Sequence, residues 1–134
     1  MARRLKFSDE HLWVRVEGDQ AHVGLTDYLQ RRLGEVVSVR LPEVGEEVER
    51  GEPLGELQAA RETRELIAPV SGIVVATNAD LEDQPTLVNE DPYEDGWLVE
   101  VEVRDEEELE DLIDADEYEE LVAEESEDEE EDED

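Results

Sequence analysis

The sequence predicts a mostly β domain. Three observations predict it: short alternating segments bounded by glycine and proline recur along the first hundred residues, helical periodicity interrupts them once in that stretch, and a β unit recurs within the chain. Gly34-Glu35-Val36-Val37 returns as Gly72-Ile73-Val74-Val75. Two such units flanking one hairpin predict a small barrel or flattened sandwich with quasi-two-fold symmetry, because each can bury its apolar face only against the other.

Leu12 to Glu17 alternates and ends at Gly18-Asp19, and Ala21 to Leu25 returns as the second arm of a hairpin. Thr26 is placed to cap a short helix with Leu25, Leu29 and Leu33 on one face and Gly34 as its stop. Gly34 to Leu41 is rich in β-branched residues and reads as a strand. Turns follow at Pro42–Gly45 and at Gly51.

The central stretch, GELQAARETRELIAPVSG from Gly55 to Gly72, reads as a projecting hairpin. Its tip is Gln58, Ala59, Ala60, Arg61, Glu62 and Thr63, with Arg61 outermost. Gly72 to Ala76 is a further strand. Asn78 to Trp97 lacks periodicity and is expected to be an ordered excursion in which Leu81, Leu87 and Val88 cover the core. Trp97 to Val103 is the last strand, with Trp13 and Trp97 as core residues.

Two short C-terminal helices are expected, the first opened by Asp105 with Glu108, the second by Asp114 with Glu117. From Glu124 onward every residue but Ser126 is acidic, so the expected division is a domain over 1–123 and a disordered tail over 124–134.

Composition narrows the function. The chain has 134 residues, no cysteine, and 44 acidic against 11 basic residues for a net charge of −33. Disulfides and thiolate chemistry are excluded. Such a field repels nucleic acid and anionic lipid. Residues 1–103 alone hold 23 acids against 10 bases, and Lys6 is the only lysine, a balance expected of an acidic, halophilic protein in a high-salt cytosol. No apolar run is long enough to span a bilayer, and the opening MARRLKFSDEHLW lacks the apolar core of a secretory signal, so a cytoplasmic protein is expected.

His11 and His22 lack further ligands at metal-binding spacing and are expected to be surface or half-buried residues without catalytic duty. The acidic stretches match no calcium loop, and the serines no nucleophile elbow. Arg31, Arg32, Arg61 and Arg64 stand out in so acidic a chain. Two readings are open for them: a basic spot for a partner's carboxylates, or salt bridges within the chain.

Leu5-Lys6-Phe7-Ser8-Asp9-Glu10-His11-Leu12-Trp13-Val14, Leu33-Gly34-Glu35-Val36-Val37, Ala68-Pro69-Val70-Ser71-Gly72 and Leu87-Val88-Asn89-Glu90-Asp91-Pro92-Tyr93 with Gly96-Trp97 carry a specific likeness. The chain resembles the glycine cleavage system H protein family from residue 5 to about 122. The resemblance implies a lipoyl-domain-like barrel-sandwich hybrid with one short helix in the N-terminal half and two short C-terminal helices. It also implies a carrier that is not itself an enzyme. In that family a lipoyl group on a tip lysine passes an aminomethyl group from glycine decarboxylase (P protein) to the aminomethyltransferase (T protein), and dihydrolipoamide dehydrogenase (L protein) reoxidises it.

The family's tip usually reads Glu-Ser-Val-Lys-Ala, with the lysine eight positions before the proline of Pro-Val-Ser-Gly. Counted back from Pro69, that lysine position is Arg61 and the motif glutamate is Gln58. A guanidinium is a poor acyl acceptor, so Arg61 is not expected to be modified and no cofactor is expected. The family's His-Glu-Trp is here His11-Leu12-Trp13, which removes a carboxylate associated with holding the loaded arm.

Three functional readings follow from the resemblance and its departures. The first is a non-lipoylated paralogue that docks on or regulates the P, T or L protein or a lipoate-handling enzyme, with Arg31, Arg32, Arg64, Asn89 and Tyr93 as candidate partner surface. The second is an aminomethyl carrier using another attachment. The third is an unrelated acidic module that reuses the fold.

Overall fold

A computed structural model of the chain describes residues 5–8 and 10–132, with 125–132 described as backbone alone. The strands are β1 (Leu5–Phe7), β2 (Leu12–Glu17), β3 (Gln20–Leu25), β4 (Val36–Arg40), β5 (Glu47–Val48), β6 (Pro53–Ala59), β7 (Thr63–Ile67), β8 (Gly72–Thr77) and β9 (Val99–Val103). The helices are α1 (Asp27–Leu33), α2 (Asp80–Asp83), α3 (Leu87–Glu90), α4 (Glu107–Glu110) and α5 (Ala115–Asp132).

The strands form two antiparallel sheets, one ordered β1-β2-β3-β9-β8-β5 and one ordered β4-β6-β7. Their facing residues make one core: Leu12, Val14, Val23, Val74 and Val101 from the larger sheet, Val36, Leu57 and Leu66 from the smaller, and Leu29 and Leu33 from α1. Each of these buried side chains contributes about 1.5–3 kcal/mol relative to exposure. The expected layering is present, but the layers are unequal. Gly34-Glu35-Val36-Val37 leads into the three-stranded sheet and Gly72-Ile73-Val74-Val75 into the six-stranded one, so the repeat does not make two equal halves.

β2 buries residues on both faces. Leu12 and Val14 face the main core, while Trp13 joins Phe7 and Tyr118 in a second cluster beneath α5. Trp13 lies opposite Gly24, and a Cβ there would meet the indole at 2.5 Å. Glycine is therefore required at 24, and the indole nitrogen donates to the Pro92 carbonyl at 2.8 Å. Trp97 is partly buried against the same cluster.

Three expectations need correction. Asn78 to Trp97 contains two single-turn helices, α2 and α3, whose Leu81 and Val88 are buried, as expected of residues covering the core. The second C-terminal helix is not short: α5 has 18 residues, Ala115–Asp132. Residues 133 and 134 and the side chains from 125 onward lie outside the described residues. His11 is neither surface nor half-buried, being 3% exposed. Among the described residues no helix is long and apolar enough to cross a membrane.

Candidate functional site

The β6–β7 hairpin forms as expected, with Gln58 opposite Thr63 and the Ala59 N–H donating to the Glu62 carbonyl at 3.0 Å. Ala60, Arg61, Glu62 and Thr63 are exposed, whereas Ala59 packs into the core beside Val36. Gln58 faces β4, where its Oε1 accepts from the Ser38 hydroxyl at 3.4 Å.

The tip does not stand free. The Ala60 N–H donates to the Glu35 carbonyl at 2.9 Å, and the Arg61 N–H to the Leu33 carbonyl at 3.0 Å. A helix leaves its last carbonyls without intrahelical donors, and here the hairpin supplies one of them to α1. Arg61 adds charge to the same place: its Nη1 stands 3.5 Å from the Arg32 carbonyl, at the negative end of the α1 dipole. Gly34 makes this seat. Its φ of 81° and ψ of −162° belong to a region open essentially to glycine alone. The sequence marked Gly34 as the helix stop, but carried no sign that the hairpin would land there.

α1 is fixed at both ends. At its start Thr26 accepts from the Leu29 N–H, and the Tyr93 hydroxyl accepts from the Asp27 N–H at 3.0 Å. Burial pushes the Tyr93 phenol up from its ordinary pKa, outweighing the opposing effect of that hydrogen bond. Thr26 Oγ1 also lies 2.7 Å from the Tyr118 hydroxyl, which is 2.9 Å from His11 Nδ1. This buried group ties α5 to α1, and His11 within it has a φ of +71°. At the other end Asn89 of α3 accepts from the Val36 N–H at 2.8 Å and donates to the Gly34 carbonyl and Gln30 Oε1, both at 2.9 Å. Asn89 and Tyr93 thus have internal partners that position α1, and α1 positions the tip.

The arginines divide between the two readings. Arg31 pairs with Asp27 at 2.7 Å and Arg64 with Glu62 at 3.3 Å, both within the chain. Arg32 lies over the Tyr28 ring, 5.6 Å from its centroid, and beside Arg61. No group of three metal-ligating side chains occurs among the described residues, and His22 lies 3.7 Å from Glu100.

The tip tests the fit of an amide-linked group. Such a group needs an amine, whereas Arg61 offers a guanidinium, so the residues at the tip do not fit it. Lys6 stands opposite Val14 on the edge strand β1 of the other sheet. Leu12, at the resemblance's carboxylate position, is 1% exposed and packed in the core.

A family model described as "Glycine cleavage H-protein" matches residues 5–125. The glycine cleavage system H protein of Halalkalibacterium halodurans is 50% identical over 125 residues, covering 93% of this chain and 98% of that protein. Its counterpart in Staphylococcus haemolyticus is 49% identical over 120 residues, covering 90% and 95%. Among solved structures, a glycine cleavage system H protein from Mycobacterium marinum superposes with a TM-score of 0.76 at 35% identity, over 88% of this chain and 95% of that one. Identity at this level sets aside an unrelated module reusing the fold. Matched by sequence over nearly all its length and by structure to a solved relative, the chain belongs to the glycine cleavage H-protein family.

Proposed function

We propose that this chain is a non-lipoylated H-type protein that acts by docking on, or regulating, components of the glycine cleavage system. The family consists of carriers that are not enzymes themselves and that interact with the P, T and L proteins. One observation supports the proposal: the hairpin presents Arg61 at its exposed tip, beyond the Gln58–Thr63 pair, while Lys6 lies on another sheet. The scaffold that would present an acceptor is kept and the acceptor is absent. The net charge of −33, with a single lysine, supports a cytosol rich in salt as its setting.

Intact mass after expression with a lipoate-attachment system tests this. The chain as it stands is expected at its unmodified mass, and Arg61→Lys is expected to gain one lipoyl group, because the tip keeps its shape and acquires an amine. A lipoyl adduct on the unaltered chain would overturn the proposal and favour a carrier with another attachment point. A folded Arg61→Lys chain that stays unmodified would show that attachment enzymes no longer recognise the tip.

A further inference from the structure

The chain enters α5 from a fixed point. The Phe7 N–H donates to the Ile113 carbonyl at 2.8 Å and the Ile113 N–H to the Phe7 carbonyl at 2.7 Å, which holds Ile113 against β1. Beyond that bridge, among the described residues, no main-chain hydrogen bond and no ion pair joins α5 to the rest of the fold. Side chains dock it. Tyr118 is buried and stacked on Phe7 with ring centroids 4.5 Å apart, and its hydroxyl lies within hydrogen-bond distance of both Thr26 Oγ1 and His11 Nδ1. Leu121 and Val122 are half-buried against the same cluster, while Glu119, Glu120, Ala123 and Glu124 are exposed.

This small apolar foot works against charge. Asp116, Glu120, Glu124, Asp128 and Asp132 occupy every fourth position of α5, and its 18 residues include 12 acids and no base. Like charges four residues apart destabilise a helix, and acids in the last turn oppose the helix dipole. Neighbours in such a column stand about 5–6 Å apart. The Debye length is about 10 Å at 0.1 M salt and about 3 Å at 1 M, so the column repels itself in dilute buffer and is screened in concentrated salt. The apolar contacts of Tyr118, Leu121 and Val122 carry no charge to screen.

We propose that α5 is a latch, hinged just after Ile113, whose docking is set by salt. It closes over Phe7 and Trp13 in concentrated salt and is released in dilute salt while both sheets stay folded. Its state reaches α1. Thr26 accepts from the Leu29 N–H at 3.3 Å to cap that helix, and it loses the Tyr118 hydroxyl when the latch opens. Tyr93 still holds the Asp27 N–H, so α1 loosens at its start without melting. The other end of α1 seats the hairpin tip, which places salt in control of how firmly the tip is mounted. The latch does not depend on the docking function proposed above.

Amide hydrogen exchange of the full chain, read by NMR in about 0.1 M and about 1 M KCl, tests the proposal. Measured against the amides of the central strands β3 and β9, those of Leu121 and Val122 are expected to exchange about tenfold faster in the dilute buffer, the effect of unscreening four like-charge steps. The Leu29 amide should follow them. E120Q/E124Q, which breaks the column at two exposed positions, is expected to remove most of the difference. Tyr118→Phe keeps the ring and drops the hydroxyl, and should speed exchange at Leu29 even in concentrated salt. If α5 and the central strands respond to salt in the same proportion, α5 is part of the cooperative fold and the latch is overturned. A salt response that survives E120Q/E124Q overturns its electrostatic origin. A Leu29 amide that follows the strands instead of α5 overturns the link to α1.

Discussion

Asn89 makes three hydrogen bonds, to the Val36 N–H, the Gly34 carbonyl and Gln30. Removing the amide leaves a half-buried N–H and carbonyl without their partner, at about 1–3 kcal/mol for each such group. Asn89→Ala is therefore expected to lower the unfolding free energy by about 2–3 kcal/mol in chemical denaturation. A change confined to partner affinity, with stability intact, would contradict this framework role. The motif around Asn89 was readable in the sequence as part of a family signature, but its duty was not. A surface-like polar residue gives no sign in one dimension that its three partners lie on α1 and at the start of β4. Leu12 raises the same difficulty in reverse, since its alternation with Trp13 was plain while the burial of both faces of β2 depends on where α5 comes to rest.

At the scale of elements, the hairpin and α1 behave as one unit, because the tip's N–H groups close the helix end and Gly34 alone permits the geometry. Gly34→Ala is expected to cost about 1–3 kcal/mol from backbone strain, since the space for the methyl exists. Hydrogen exchange should then speed up at the Ala60 and Arg61 amides before it does in β2 or β9. Uniform acceleration across all strands would count against a local seat. The strands, the hairpin and α1 could be read from period, turn glycines and the Thr26 cap, which are local signals. α2 and α3 were missed because each is a single turn, too short to show a period of 3.6. The length of α5 was missed because its acidic composition argues for disorder, whereas it enters the fold through Tyr118, stacked on Phe7 with ring centroids 4.5 Å apart.

For the molecule as a whole, charge dominates. The core is that of an ordinary small domain, and around it the net charge is −33. Self-repulsion of that size opposes compaction in dilute buffer, and screening relieves it. The thermal midpoint is expected to rise steadily as KCl is raised from about 0.1 M to above 1 M. A midpoint indifferent to KCl would remove the high-salt setting from the functional proposal. The seat beneath the hairpin bears on the gene as much as on the protein. Main-chain groups of residues 60 and 61 hold the tip, so the scaffold sets few conditions on the side chain displayed there. Some arginine and lysine codons differ by one base. If position 61 is the attachment position, as proposed, exchange there between a residue that accepts an acyl group and one that refuses it is a single, reversible mutational step that leaves the architecture almost untouched.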